Sequence, residues 1–164
     1  MVNLIPQKIQ PYFETTFQAK DGDSDIIEGV LTCCKAHDFE VFAAGEIKHR
    51  VFSKMYLSSK NDMTAIEVRC RKCGQIISVF DGGSDGYDKC KEQQHTHTPM
   101  KPVKCQKCRN DGFSVGIKYE YPDPQELKEL EIPEIDNAFT WIWITLACNK
   151  CGIKHKNFVD HETA

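Results

Sequence analysis

Three Cys-x-x-Cys pairs constrain this chain more than any other feature: Cys70–Cys73 (CRKC), Cys105–Cys108 (CQKC) and Cys148–Cys151 (CNKC). Two of them run on into glycine, at Gly74 and Gly152. A tight turn places two sulfurs three residues apart on one side of the backbone, and glycine just after it lets the chain curl beneath a metal without a Cβ clash. Two such turns brought face to face by a hairpin supply four thiolates in a tetrahedron, the coordination that Zn²⁺ prefers. In the second half, Cys105 and Cys108 form one turn and Cys148 and Cys151 the other, with 39 residues between Cys108 and Cys148.

The first half repeats the pattern imperfectly. CysLysAlaHisAspPheGluVal from Cys34 aligns with CysArgAsnAspGlyPheSerVal from Cys108, which puts Phe39 and Phe113 at the same distance from their cysteines. Downstream, IEVRCRKCG from Ile66 aligns with ITLACNKCG from Ile144. Val79-Phe80-Asp81 resembles Phe158-Val159-Asp160, but only after a shift of one residue. Two copies of one unit is the economical reading.

The arrangement resembles the zinc-ribbon family, in which two cysteine knuckles close a small antiparallel sheet, over roughly residues 30–82 and 103–160. The resemblance implies a mainly β fold of two tandem zinc ribbons with an N-terminal arm. The expected divisions are an arm at 1–28, a first ribbon at 29–82, a linker at 83–101 and a second ribbon with an acidic insertion at 102–164. The first ribbon departs from the pattern at its opening knuckle, Cys33-Cys34-Lys35-Ala36-His37, which holds no Cys-x-x-Cys. Alignment with the second unit selects Cys34. The fourth ligand is then His37, on spacing, or Cys33, if the turn has contracted by two residues. The expected sets are Cys34, His37, Cys70 and Cys73 for site 1, with Cys33 as the alternative to His37, and Cys105, Cys108, Cys148 and Cys151 for site 2.

Two zinc ions are expected, both structural. A ribbon buries too little core to be stable without a metal or disulfides, and four protein ligands leave no open position for water or substrate. Nine cysteines, an odd number, fit a disulfide framework poorly. Thiol–disulfide exchange wants one such pair at a helix start, whereas these pairs lie beside strand-like sequence. Cys90, His95 and His97 fall in the polar linker and are expected to be incidental. Cations crowd the knuckles (Arg69, Arg71, Lys72, Lys104, Lys107, Arg109, Lys150, Lys154, Lys156). They read as balance for the −2 charge of a zinc tetrathiolate, or else as a phosphate-contacting surface.

Charge is nearly balanced, with 21 Lys+Arg against 24 Asp+Glu, so bulk charge announces no nucleic-acid partner. No segment approaches the roughly 18 apolar residues of a membrane span, so no membrane partner and a cytoplasmic location are expected. No P-loop, nucleophile elbow or HExxH motif is present, and the chain is not expected to be an enzyme. Residues 139–146 (FTWIWITL) are apolar on both faces, and the Trp141/Trp143 face is expected to be buried internally, an exposed partner site being the alternative. Residues 120–136 are acidic, with QELKELE forming two helical turns capped by Asp123. The leading functional expectation is a module that binds another protein, through Trp141 and Trp143 and an acidic surface at Glu129, Glu131 and Glu134. A nucleic-acid-associated ribbon is the alternative.

Overall fold

Strict period-two alternation builds most of the structure, a computed structural model that describes residues 4–52, 54–58, 64–88 and 99–163. In chain order the strands are β1 (Phe13–Asp21), β2 (Ser24–Leu31), β3 (Phe39–Ala44), β4 (Glu46–His49), β5 (Met55–Ser58), β6 (Ala65–Cys70), β7 (Ile76–Asp81), β8 (Lys101–Pro102), β9 (Phe113–Pro122), β10 (Trp141–Cys148) and β11 (Lys154–Glu162). Along β9, Phe113, Val115, Ile117, Tyr119 and Tyr121 point inward and their neighbours outward; along β10, Ile142, Ile144, Leu146 and Cys148 do the same. Alternation of this kind marks a sheet with one face on the core.

The architecture is mainly β. Among the described residues, a nine-stranded antiparallel sheet runs β1-β2-β9-β3-β6-β7, with β10 on β9, β11 on β10, and β8 on β3; β4 and β5 form a separate pair. Two three-stranded meanders share one plan. β3, β6 and β7 carry one cysteine group; β9, β10 and β11 carry the other. Their registers correspond: Phe39 opposes Cys70 and Val41 opposes Val68, as Phe113 opposes Cys148 and Val115 opposes Leu146. The one-residue shift in the sequence alignment has a structural cause. Where β6 meets β7 the bulge adds one residue, since Glu67 and Ile66 oppose Ser78 and Phe80. Where β10 meets β11 it adds two, since Leu146 and Ile144 oppose His155 and Val159.

The expected ribbons at 29–82 and 102–164 contribute strands to this one sheet. β2 pairs with β9, Phe39 of β3 pairs with Phe113 of β9, and one hydrophobic core holds Ile9, Phe39, Val68, Val115, Ile144 and Phe158 together. Aromatic contacts cross the boundary, Phe80 meeting Phe139 at 6.2 Å between ring centroids. The physical reason is area: each meander alone leaves one apolar face unburied, and joining them covers both.

The expected N-terminal arm is an added hairpin. β1 and β2 turn at Gly22 (φ +61°), and Leu4, Ile5 and Ile9 enter the core. Lys8 reaches the buried Asp85 at 2.5 Å. The DGGSDG segment folds as a turn, with Gly83 N–H donating to the Asp81 carboxylate and Asp85 N–H to the Asp81 carbonyl. The acidic insertion carries α1 (Pro124–Glu129), capped by Asp123 through the Gln125 N–H, and packs as a small cluster of Leu127, Ile132 and Ala138. No helix among the described residues is long and apolar enough to cross a membrane.

Candidate metal centres

Three of the four cysteine turns share one backbone design. In each, the N–H four residues after the first cysteine donates to that cysteine's carbonyl: Gly74 to Cys70 (2.8 Å), Arg109 to Cys105 (2.8 Å) and Gly152 to Cys148 (3.0 Å). That fourth residue takes a left-handed conformation, φ +80° at Gly74, +77° at Gly152 and +66° at Arg109. A Cβ at either glycine would meet nothing within 4 Å, so φ and not space selects glycine there.

The fourth turn is shorter. Cys33 and Ala36 exchange both backbone hydrogen bonds (3.0 and 2.8 Å), and the two residues between them, Cys34 and Lys35, both have positive φ (+44° and +62°). This is the two-residue turn of a tight hairpin. It sets Cys33 and Cys34 side by side where the second unit needs Cys105 and Cys108.

The two sulfur groups therefore correspond atom for atom. The Cys33 sulfur lies 3.5 Å from Cys73 as Cys105 lies 3.6 Å from Cys151; Cys34 lies 3.7 Å from Cys70 as Cys108 lies 3.5 Å from Cys148. Within each group all sulfurs lie within 4.8 Å of one another. A zinc tetrathiolate with bonds of about 2.3 Å has sulfur–sulfur edges of about 3.8 Å. The observed spacings match that tetrahedron and are far from the roughly 2.05 Å of a disulfide; all eight of these cysteines are free. Both groups can thus hold a metal, and the soft four-sulfur donor set is consistent with zinc.

His37, favoured on spacing as the fourth ligand of site 1, is not in the group. Its half-exposed imidazole points to β1, with Nε2 3.8 Å from a Glu14 carboxylate oxygen, and Cys33 occupies the place it was expected to fill. Sequence reasoning missed this because Cys-Lys lacks the Asn-Gly signature of such a turn. The signal available was the contraction by two residues. Cys90, His95 and His97 lie outside the described residues.

The thiols are set apart electrostatically in the same way at both sites. Burial is the main cause that pushes Cys33 up to about 12, with the neighbouring Cys73 sulfur adding to it. Burial also drives Cys105 up to about 12, against the opposing pull of the Cys108 and Lys107 N–H groups. Cys70 and Cys148 go the other way. Burial resists their ionisation, but the N–H groups of Cys73 and Lys72, and of Cys151 and Lys150, outweigh it together with adjacent thiols, bringing them to about 7 and about 6. The three Cys-x-x-Cys turns thus each aim backbone donors at their first sulfur, and at Cys70 and Cys148 these donors with the adjacent thiols favour the thiolate a cation would bind.

The two sites brace one another. Arg71, inside the Cys70–Cys73 turn, donates its N–H to the Asp38 carbonyl and pairs with Asp38 (3.8 Å) and with Asp111 of the other unit (3.5 Å). Asn149, the corresponding residue of the Cys148–Cys151 turn, donates its N–H to the Gly112 carbonyl and its side chain to Asp38 (2.8 Å) and the His37 carbonyl. A Cβ at Gly112 would sit 2.1 Å from Arg71 Nη1 and 2.5 Å from Asp38 Oδ1, so a side chain there would push these two flexible ends aside. Several knuckle cations are engaged within the fold: Arg69 with Glu40, Arg71 as above, and Lys72 on the Cys34 carbonyl at 3.2 Å.

Trp141 and Trp143 are not buried in the core. They lie half-buried on the outer face, stacked at 5.4 Å with planes 10° apart. Mutual stacking, the Lys118 ammonium 4.9 Å from the Trp143 ring centre and a 2.6 Å hydrogen bond from Trp141 Nε1 to Asp160 lower the cost of exposure. The insertion packs elsewhere and leaves Glu129, Glu131 and Glu134 exposed. Beside Trp143, a groove of about 550 Å³ runs across β2, β9, β10 and β11 past Gly116, Lys118 and Lys156.

Comparison of the chain with protein-family models, curated proteins and solved structures returned no match.

Proposed function

We propose that this protein is a non-catalytic zinc-binding module of zinc-ribbon type that acts by recognising another protein. Its metal centres hold the sheet together, each four-sulfur set completing a tetrahedron without a position for substrate. The observation that carries the recognition reading is the outer face. Two tryptophans stand there outside the core, beside the groove at Lys118, and the insertion, which packs elsewhere, adds exposed carboxylates at Glu129, Glu131 and Glu134. Tryptophan is the residue most enriched where binding energy concentrates.

The test is affinity capture by the zinc-loaded chain from host extract, with and without nuclease. A defined protein partner that survives nuclease, is lost with Trp143→Ser and is weakened by charge reversal at Glu129, Glu131 and Glu134 supports the reading. An unchanged partner set in both variants refutes these surfaces. Lys118 and Lys156 beside Trp143 favour a second reading, single-stranded nucleic acid across the same groove. That reading requires capture that collapses with nuclease and binding that weakens steeply with salt.

A further inference from the structure

β4 and β5 form a hairpin outside the main sheet, anchored along β5 and apolar at its tip. Met55, at the turn end of β5, and Leu57 are buried, and the Met55 N–H donates to Nδ1 of the buried His155 on β11 at 3.2 Å. Arg50 N–H closes the turn onto the Lys54 carbonyl at 2.6 Å, and the Arg50 guanidinium lies 4.4 Å over the Tyr56 ring. Beyond that closure stand Val51 and Phe52, exposed at 76% and 86%, the two most exposed large hydrophobic residues among those described. Phe52 has φ +61°, a conformation that glycine or asparagine would adopt at lower cost. Neither folding nor turn chemistry asks for phenylalanine there.

The tip's charge is as distinctive as its apolarity. Lys48, His49, Arg50 and Lys54 surround the pair with no acidic residue between them, in a chain whose net charge is −3. A protein partner would have to supply a matching pocket for this convex point, and a nucleic acid would gain stacking from Phe52 but nothing from Val51. A fluid anionic interface needs no complementary shape. It takes up apolar side chains at the headgroup boundary while nearby cations gain from its negative potential. We propose that the β4–β5 tip is a peripheral docking point for an anionic phospholipid surface, entered by Val51 and Phe52 and held by Lys48, Arg50 and Lys54. Such contact needs no membrane-spanning segment; it departs from the expectation of no membrane partner, which rested on the lack of a spanning segment alone.

The test is co-sedimentation of the zinc-loaded full chain with phosphatidylcholine vesicles, with and without phosphatidylserine. Binding is expected only with phosphatidylserine. It should fall about tenfold in Phe52→Ser, which loses its apolar ring, and about thirtyfold or more in the Arg50→Glu, Lys54→Glu double variant, as the loss of two cations near an anionic surface implies. Unchanged metal content and tryptophan fluorescence will show that these tip variants are folded. Trp143→Ser should bind vesicles normally, which separates this proposal from the protein-recognition reading. No binding by the wild type, equal binding to neutral vesicles, or full binding by Phe52→Ser overturns it. So does a tip-dependent preference for an oligonucleotide or an acidic peptide over vesicles.

Discussion

Replacing Cys33 with serine, beside His37 with alanine, tests the composition of site 1 directly. The Cys33 sulfur lies 3.5 Å from that of Cys73 and 4.0 Å from that of Cys34, and the Cys33 backbone closes the two-residue turn onto Ala36. Serine keeps those backbone bonds and removes one thiolate. Structural zinc contributes an apparent binding energy of about 10–16 kcal/mol at neutral pH. Shared among four ligands, that is about 2.5–4 kcal/mol per thiolate, or roughly 10²- to 10³-fold in affinity. Cobalt(II) titration against a competing chelator reads both sites, because thiolate-to-cobalt absorption reports the number of sulfurs bound. Cys33→Ser should weaken one of two sites by that factor and leave the other intact, whereas His37→Ala should change neither. Loss of a site in His37→Ala with retention in Cys33→Ser would refute the four-sulfur assignment and restore the spacing argument.

Three further perturbations probe the scaffold. Burial, aided by the charge of Lys54, lowers the pKa of His155 from its usual value near 6.5; the unfolded chain therefore takes up the proton first, and stability should fall as pH drops through about 6.5 towards the folded value, a slope that His155→Asn should flatten in urea melts at pH 5 to 8. A Cβ on Gly29 would lie 2.4 Å from the Glu14 carbonyl oxygen and 2.4 Å from the Phe13 ring, whereas one on Gly116 would meet nothing closer than 3.9 Å; Gly29→Ala should cost about 1–3 kcal/mol or more and Gly116→Ala should be neutral or slightly stabilising, so equal effects in denaturation would argue against the β1–β2 packing. Arg71→Ala and Asn149→Ala should each cost about 1 kcal/mol or less, their contacts being partly exposed; because both side chains hold Asp38, a double-mutant cycle should depart from additivity by about 0.5 kcal/mol, and strict additivity would dissolve the brace between the metal sites.

Local chemistry was legible from the chain alone. Cysteine spacing and the repeat alignment named seven of the eight cysteines gathered into the two sulfur groups, and Gly74 and Gly152 announced their turns. The helix behind Asp123 was likewise visible, since cap and propensity act within a few residues. These features depend on neighbours in sequence, and sequence states them.

What needed the tertiary structure was every choice settled by a distant partner. Cys33 displaced His37 because the hairpin turn at Cys34-Lys35 is held open by sulfurs arriving from 36 to 40 residues away, and nothing in Cys-Lys itself demands positive φ. The joining of β3 to β9 at Phe39 and Phe113 turned two expected ribbons into one sheet, because shared burial of apolar area is non-directional and leaves no local motif. The outward placement of Trp141 and Trp143 followed from the same fact. With both faces of β10 apolar, alternation alone could not say which faces the core; the tighter packing of Ile142, Ile144 and Leu146 between the two meanders decided it.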